Sequence, residues 1–540
     1  MLSSITSFFR PRLERRFGTA ALMVLIFGFL LPVEASGQEP ATPLEASGFQ
    51  EYTSHKEMLD YLQEVQGVSH DMELGSYGRT HQGRELILAT FSRPRVTSPA
   101  EAHRSGKPIL VLGANVHGFN YTLRESLLIL IRELGTRGTE LNDLLDDVIV
   151  LVAPSKNPDG LELDSRFNAV GADLNRDYMA LEQPAMAAYI GNVINHWRPH
   201  LYVDGHDGGA VQYGGAYPYS LLYQGPGLAG ADPSLTELAD REIFPLIDET
   251  YEAAGFEAFY WARGDEERWY GGGAAPRMGR NYGGLANTLS ILFELAEWHE
   301  VPVAVETGIL AYTAVLRYAR DHGSRLTSVV EEARRSTVEL GERAEGTIPV
   351  REQLEADDFT VTYRIPDPGD PDQLLTVADA EIVKRPVGTV FRDRPYAYLL
   401  PPGATEAVSL LQRHGIAVER VTRPVSLDLQ SYTLADLRYE ESDNQHRAAV
   451  ILEVGEVRSE TLEIPGESFL VRTGQELGRV VTHLLEPETL DGVVYWNRMS
   501  HLLPKAELQE YREDPEGNAP PVVPIYKLMS ETPVPTVQVP

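Results

Sequence analysis

The segment NVHGFNYTLRE, residues 115–125, places a histidine where an α/β enzyme often holds a metal ion. It follows the apolar run PILVLGA and precedes a second run, SLLILI. His117 should therefore lie after a buried strand and before a helix, where a neutral imidazole can bind a divalent metal. The useful companion would be a carboxylate three residues later, but Asn120 stands there. The segment alone is compatible with a metal site, an altered metal site or no site.

Further polar residues follow or interrupt predicted strands. His206 follows the run LYVD, and Glu294 interrupts the run SILFEL. A carboxylate inside a buried strand is costly unless it is paired or functional. Glu297 is a second carboxylate, three residues further along the chain. The segment between the two histidines is densely polar after a buried strand, and its notable residues are Asn157, Asp159, Gly160, Arg166, Asn175 and Arg176.

The elements that must position these residues alternate between strand and helix. Apolar runs predict strands at 85–91, 108–116, 147–154, 201–204 and 288–295, and helical spacing predicts helices at 51–65, 124–135, 183–196 and 306–344. Such alternation predicts an α/β fold, a three-layer α/β/α sandwich around a mixed, largely parallel sheet. Ligands of such sheets bind at the carboxyl ends of the strands, where both histidines are expected.

The texture of the chain changes near Gly346. Short Val, Thr and Tyr runs broken by PDPGDPDQ predict β structure beyond that point. A chain of 540 residues is also too long for one ordinary core. We therefore predict a catalytic domain over residues 38–345 and a β-rich C-terminal accessory domain over residues 346–540.

The composition excludes several classes of function. The formal net charge of -32 argues against nucleic acid or an anionic membrane as a partner, because either would require a basic face. The absence of cysteine excludes disulfides, thiolate metal ligands and a cysteine nucleophile. Any metal must therefore be held by His, Asp, Glu or weaker oxygen ligands.

Residues 1–37 have the pattern of a secretory signal peptide. Four arginines precede the apolar run TAALMVLIFGFLLP, which is short for a membrane span. Small residues at Ala35 and Gly37 suit cleavage before Gln38. An uncleaved anchor is the alternative. We predict a periplasmic or secreted protein with no stable membrane insertion after cleavage.

The motifs together resemble the M14, carboxypeptidase A-like family of zinc carboxypeptidases, in a bacterial secreted branch. The ordered pieces are YGRTHQGREL, the strand ending in His117, NPDG, Arg166, LNRDY, the strand ending in His206 and the strand bearing Glu294. The resemblance covers roughly residues 50–320, and more loosely the later segment RTGQELGRVVTHLLEPETLDGVVYWN.

The resemblance implies one role for each residue. His117 and His206 would bind one Zn²⁺ per chain, and Glu294 would be the catalytic base. Arg166 would stabilise the oxyanion. The substrate is then a peptide with a free C-terminal carboxylate, held by Asn175 and Arg176. The tyrosine that covers the substrate would be Tyr270, with Tyr282 as its rival.

The departure from the family is Asn120, because the family carries a glutamate there as third zinc ligand. Asn120 would ligate through its amide oxygen and leave the metal more weakly held. Alternatively, Glu125 or Asp207 supplies the third ligand, or zinc is lost and the chain is a peptide or cell-wall binding protein. An amidase acting on peptidoglycan stem peptides is a further alternative.

Structural roles compete with several of these assignments. Arg176 could pair with Asp173 or Asp177, and Glu294 could pair with Arg280. Asp204 could be a supporting carboxylate for the site. His196 and His200 have ligand-like spacing but precede their strand and are expected on the surface.

Overall fold

The computed structural model describes residues 40–209, 211–212, 215–441 and 447–539. The predicted signal peptide, residues 1–37, lies outside the described residues. Across the described ranges, no helix combines the length and apolar character needed to cross a membrane.

The first part of the chain builds a central mixed sheet and a two-stranded sheet, and supplies two strands of a four-stranded sheet. Its described strands are β1 Met72–Arg79, β2 Glu85–Phe91, β3 Ile109–Gly113, β4 Ile149–Ala153, β5 Leu201–Gly208, β6 Val211–Gln212, β7 Gly215–Ala216, β8 Leu221–Gln224, β9 Ala258–Tyr260, β10 Ala262–Gly264, β11 Arg268–Gly271 and β12 Leu289–Ala296. Eight of them form the central sheet in the order β1-β2-β4-β3-β5-β12-β8-β9. The four middle strands, β4, β3, β5 and β12, are mutually parallel.

Helices cover the central sheet and the later region. The described helices are α1 Pro43–Ala46, α2 His55–Val68, α3 Pro99–Arg104, α4 Thr122–Gly135, α5 Glu140–Asp143, α6 Pro158–Leu161, α7 Pro184–Tyr189, α8 Asn195–Trp197, α9 Pro233–Leu238, α10 Phe244–Ala253, α11 Gly279–Leu285, α12 Val301–Asp321, α13 Gly323–Glu342, α14 Thr405–Arg413, α15 Gly478–Leu485 and α16 Lys505–Glu513, with short 3₁₀ or π turns at Leu144–Asp146, Leu174–Arg176, Ile190–Ile194 and Ala239–Ile243.

The sheet is buried on both faces, as its continuous apolar strands require. Along β3, Leu110 and Leu112 join the hydrophobic cluster under α4 and α12, whereas Ile109 and Val111 join the cluster on the opposite face. Alternate residues of a strand point to opposite faces, so each face buries its own apolar set. The predicted three-layer α/β/α sandwich with a largely parallel sheet is confirmed.

The single long helix predicted at 306–344 is wrong. Two helices stand there, α12 and α13, and they meet at His322, whose backbone is not helical. Gly323 follows directly and packs near Pro108. Glycine is a poor helix former, so a break is favoured at this position. The hydrophobic spacing nevertheless continues from one helix to the next, and periodicity alone does not reveal the break.

The region after residue 346 is β-rich, as predicted. Its described strands are β13 Thr347–Asp367, β14 Asp370–Asp393, β15 Ala397–Leu400, β16 Glu419–Val421, β17 Val425–Glu440, β18 Ala449–Ile464, β19 Phe469–Arg472, β20 Tyr526–Leu528 and β21 Thr536–Gln538. β14 pairs with β11 of the first part, and residues 40–540 form one compact unit. The structure thus shows no separate C-terminal unit, and the division at residue 346 stays a prediction.

Candidate active site

Six of the predicted site residues line one cavity at the carboxyl ends of the parallel strands: His117, His206, Glu294, Arg166, Asn175 and Arg176. His117 follows β3, His206 lies near the end of β5, and Glu294 lies beside His206 on β12. The cavity has a volume of about 360 Å³. Its lining residues are His117, Phe119, Arg166, Asn175, Arg176, Asp204, His206, Asp207, Gly208, Trp261, Met278, Gly279, Arg280, Leu292, Glu294 and Glu297.

A network of amide hydrogen bonds shapes the loop that presents His117. The side-chain nitrogen of Asn115 donates to the carbonyls of His117, Gly118 and Asn120, at 2.9–3.1 Å. A side chain at Gly118 would lie 2.0 Å from the backbone of Gly160 in the NPDG turn. The loop that carries His117 therefore packs directly on the NPDG turn.

The two histidines face each other through the same ring nitrogen. Their Nδ1 atoms are 3.3 Å apart. Nε2 of His117 lies 3.4 Å from Asp173, and Nε2 of His206 lies 3.2 Å from Asp204. Neither contact has the alignment of a full hydrogen bond. The two carboxylates nevertheless favour a proton on each Nε2, so both Nδ1 lone pairs point into the gap.

Electrostatics keep His117 neutral and Asp204 charged. Burial lowers the pKa of His117 to about 4. Burial opposes the ionisation of Asp204, but Lys156 and His206 lower the pKa of Asp204 well below its ordinary value. The ammonium of Lys156 is fully buried against that carboxylate. Neutral imidazoles oriented by carboxylates are the form in which histidine binds metals.

The histidine geometry fits zinc. Two nitrogens at about 2.0–2.1 Å from a tetrahedral zinc are about 3.3–3.4 Å apart. The Nδ1 separation of 3.3 Å is this distance. Two lone pairs held this close without a cation between them would repel each other, so the arrangement favours a bound cation.

Asn120 offers its side-chain oxygen as a candidate third ligand. Its side-chain nitrogen donates to the carbonyl of Asp207 at 2.7 Å, and its Oδ1 is buried without a hydrogen-bond partner. An orphaned buried acceptor of this kind requires an explanation, and metal ligation supplies one.

The two alternative third ligands are engaged elsewhere. The carboxylate of Glu125 is buried against Arg124 and accepts hydrogen bonds from Thr53, away from the cavity. The hypothesis that Glu125 is the third ligand is therefore wrong. Asp207 lines the cavity, but its two oxygens accept the backbone N–H groups of Thr122 and Leu123 at the start of α4. Asn120 remains the candidate with a free oxygen.

Glu294 lies in the cavity wall without a fixed partner. No hydrogen bond or ion pair joins its carboxylate to another described residue, and Arg280 does not pair with it. A side chain at Gly208 would meet Oε1 of Glu294 at 2.4 Å, so glycine makes room for the carboxylate. Burial, and next the charge of Asp207, raise the pKa of Glu294 to about 8. A cation held by the histidines would favour its ionised form.

Arg166 is directed at the histidine pair. Its guanidinium binds Asp173 at 2.9 Å, and its Nη1 lies 3.4 Å from Nδ1 of His117. Asp173 thus orients both the first histidine and the arginine beside it.

Asn175 and Arg176 lie together on the 3₁₀ turn after Asp173. Oδ1 of Asn175 accepts the backbone N–H of Gly279 at 3.2 Å, so its amide N–H₂ is the free end. Arg176 donates one hydrogen bond, to the carbonyl of Asn175, and forms no ion pair within the described part of the chain. The competing hypothesis of a structural ion pair with Asp173 or Asp177 is therefore not supported.

The structure does not bring either candidate tyrosine to the site. Tyr270 lies on β11, outside the cavity lining. Tyr282 is buried and contacts His414 and Asn195. The assignment of Tyr270 is not supported, because β11 pairs with β14 instead of lying over the parallel strands. That of Tyr282 is not supported either, because its side chain is buried outside the cavity lining. The Phe and Trp side chains in the cavity wall are Phe119 and Trp261.

A second histidine cluster does not fit a metal. His103, His200 and Glu331 approach one another. However, Nδ1 of His200 accepts the N–H of Ile109 at 2.9 Å, which leaves its Nε2 protonated toward Glu331. A neutral imidazole then has no lone pair left for a cation. His200 is buried, against the expectation from sequence, whereas His196 is exposed as expected.

Sequence reasoning missed Lys156 and the orienting role of Asp173. Lys156 stands in the segment APSKNPDG, directly after β4, and a lysine at the end of a buried strand was the available signal. Asp173 was considered only as a partner of Arg176. Their roles depend on contacts with residues far away in the sequence.

The comparisons with known proteins agree with this geometry. Residues 58–263 match the M14 peptidase family model, described as zinc carboxypeptidase. The chain is 22% identical to Carboxypeptidase 2 of Trichophyton tonsurans over 439 residues, 76% of this chain and 78% of that protein. It is 34% identical to Carboxypeptidase E of Caenorhabditis elegans over 122 residues, 19% of this chain and 25% of that protein. A metallo-carboxypeptidase structure from Burkholderia cenocepacia aligns with a TM-score of 0.40 at 21% identity, covering 50% of this chain and 70% of that one.

The fold, the paired histidines and these matches define a metallocarboxypeptidase domain. Residues 58–263 match the model of the M14 zinc carboxypeptidase family, and the chain is similar over a longer range to carboxypeptidases, so an enzyme is supported. The matched range includes His117, Arg166 and His206 but ends before Glu294. Assignment to a bacterial secreted branch stays a prediction.

Proposed function

We propose that this protein is a zinc-dependent carboxypeptidase that removes C-terminal residues from peptides outside the cytoplasm. The observation that carries the proposal is the 3.3 Å separation of the two imidazole Nδ1 atoms, in the wall of a cavity that also holds an unpaired glutamate and several arginines.

His117, His206 and Asn120 are the residues that would hold the metal. When bound, zinc lowers the pKa of a water molecule and polarises a carbonyl group. Glu294 takes the proton of the attacking water and passes it to the leaving amine. This carboxylate lies beside His206 in the cavity wall and has no fixed partner. Gly208 leaves the space in which this carboxylate can move between the two positions.

The arginines stabilise and orient the substrate. Arg166, fixed by Asp173 and directed toward His117, lies where negative charge develops on the scissile carbonyl. The free amide N–H₂ of Asn175 and the guanidinium of Arg176 bind the terminal carboxylate of the peptide, for which arginine offers a planar fork of donors. This reading of the terminus distinguishes an exopeptidase from an endopeptidase.

The deciding experiment compares matched peptides with free and amidated C-termini. The native protein should release the last residue of the free-ended peptide, should leave the amidated one intact and should contain one zinc per chain by elemental analysis. The Glu294→Gln variant is the matched control, because it preserves shape and zinc but removes the base. Equal cleavage of both peptides, or undiminished cleavage by the variant, would overturn the proposal.

The neutral Asn120 favours one alternative, a peptide-binding protein on the same fold. Without an anionic third ligand, zinc is held less tightly, and a chain that lost it would retain only the carboxylate-binding residues. A native protein that binds free-ended peptides but contains no zinc, and that cleaves nothing when zinc is supplied, would establish this alternative.

Export from the cytoplasm is part of the proposal and rests on residues 1–37. Their basic segment, apolar run and small residues at Ala35 and Gly37 are the pattern of a cleaved signal. Sequencing the N-terminus of the exported protein should begin at Gln38, and an intact start would contradict cleavage.

A further inference from the structure

Arg280 is a buried cation in the wall of the proposed active site. It is the second residue of α11 and is 2% exposed. It lines the same cavity as Arg176 and Glu294. A charged side chain so deeply buried normally pairs with an opposite charge.

The contacts of Arg280 are all with neutral groups. Its Nη2 donates to the carbonyl of Gly273 at 2.7 Å, and its Nη1 lies 3.7 Å from the sulfur of Met278. Its guanidinium carbon lies 5.2 Å from the centre of the Trp261 ring. Its Nε is buried without a hydrogen-bond partner, and within the described ranges no carboxylate forms an ion pair with it. Burial lowers the pKa of Arg280 to about 10, although the charge of Asp204 opposes this shift.

Several other buried arginines of this protein are each paired with a carboxylate. Arg124, Arg334 and Arg498 each pair with a glutamate. Arg394 is buried without such a pair, but it does not line this cavity. Of the carboxylates near Arg280, Asp204 is held by Lys156 and His206. The guanidinium therefore combines burial, position in the catalytic cavity and unused donors.

We infer that Arg280 selects peptides whose C-terminal residue carries a side-chain carboxylate, an inference that rests on the proposed carboxypeptidase function. The side-chain carboxylate of a terminal glutamate or aspartate would supply the anion that the folded chain lacks. A charged pair formed in a site shielded from water is stronger than the same pair at the surface.

The backbone places this selection next to recognition of the terminus. The N–H of Gly279 holds Oδ1 of Asn175 at 3.2 Å, and Arg280 is the next residue along the chain. A peptide whose terminal carboxylate binds Asn175 and Arg176 therefore has its last side chain beside α11. In that position Arg176 binds the terminal carboxylate of the last residue, and Arg280 binds its side-chain carboxylate.

The test uses N-acylated dipeptides ending in Glu, Gln or Leu and the zinc-loaded native enzyme. Gln matches Glu in shape without the charge, and Leu matches it roughly in size. We expect kcat/KM for the Glu-ended peptide to exceed that for the Gln-ended one by about tenfold or more, the usual value of a buried charged hydrogen bond. Arg280→Gln should remove the preference, and Arg280→Lys should retain part of it. The matched control is Arg263→Gln, which removes the same charge from an exposed position on the neighbouring strand β10 and should leave the preference unchanged.

Equal or better cleavage of the Gln-ended or Leu-ended peptide by the native enzyme overturns the inference, as does a folded Arg280→Gln variant that keeps the preference. The native comparison stands even if the variant does not fold. Calorimetric binding of the three peptides to Glu294→Gln separates the two proposals. A binding preference for Glu without any hydrolysis by native enzyme refutes the carboxypeptidase proposal but supports Arg280 selection, and hydrolysis without that preference does the reverse.

Discussion

Replacing Asn120 with glutamate should lower the folding stability of the zinc-free protein and raise the affinity of the protein for zinc. Asn120 is 1% exposed and donates to the carbonyl of Asp207 at 2.7 Å. Glutamate has no N–H to donate, so that carbonyl would lose its partner, at a cost of about 1–3 kcal/mol. The new carboxylate would also be a buried charge without a partner in the zinc-free protein, which adds a cost of the same sign.

Zinc should offset much of this cost. Two neutral imidazoles and an amide leave the bound metal with both its positive charges, whereas a carboxylate neutralises one of them. In a site shielded from water, we expect this change to tighten zinc by at least about tenfold, which is about 1.4 kcal/mol. By linkage, excess zinc should stabilise the glutamate variant by about that much more than it stabilises the native protein.

The assay is denaturant unfolding, measured after chelator treatment and again with excess zinc, together with zinc retention during dialysis against graded chelator. Asn120→Gln is the matched control, since glutamine has the length of glutamate without its charge. The glutamate variant should be less stable than the native protein without zinc and should retain zinc at chelator concentrations that strip both other proteins.

Two results would refute this reasoning. If the native protein already holds zinc as tightly as the glutamate variant, another residue is the third ligand. If Asn120→Gln and Asn120→Glu retain zinc equally, the charge of the ligand is irrelevant and the electrostatic argument fails.

Four other outcomes are expected. Glu294→Gln should lower kcat by about 10²–10⁴-fold while leaving peptide affinity largely intact, and a parallel loss of folding would instead mark a structural carboxylate. Arg176→Ala should weaken the binding of free-ended peptides by about tenfold or more relative to the binding of amidated ones. Equal weakening for both kinds of peptide would show that Arg176 does not bind the terminal carboxylate. Burial raises the pKa of Glu352 from 4.5 to about 7, so its ionisation should cost stability as the pH rises through that range. Glu352→Gln should therefore raise the thermal midpoint at pH 8 by the equivalent of about 3 kcal/mol and change it little near pH 4, and an equal shift at both pH values would exclude titration as the cause. Gly118→Ala should cost about 3 kcal/mol and reduce zinc content, because its Cβ would lie 2.0 Å from the backbone of Gly160, and an unchanged melting curve would contradict that packing.

Local patterns in the sequence predict most of the fold and the outline of the site. Strands such as β3 and β4 are buried on both faces and therefore appear as continuous apolar runs. In a parallel sheet their carboxyl ends share one edge, so His117 and His206 could be placed together without coordinates. The break between α12 and α13 escaped prediction, because hydrophobic spacing continues through His322.

The parts that remained open depend on contacts between residues distant in the sequence. Tertiary packing decided that Glu125 pairs with Arg124 outside the cavity, and that Tyr270 lies on a strand paired with β14. It also left the Oδ1 of Asn120 and the Nε of Arg280 buried without a hydrogen-bond partner.

The sequence by itself determined which residue types were present and which strands carried them, because burial and periodicity are properties of a local segment. Only the tertiary structure decided which of the acids and bases neutralise one another and which remain available. That choice depends on distances of a few ångströms across the sheet, where electrostatic interactions are strong and where neighbours in space are not neighbours in the chain.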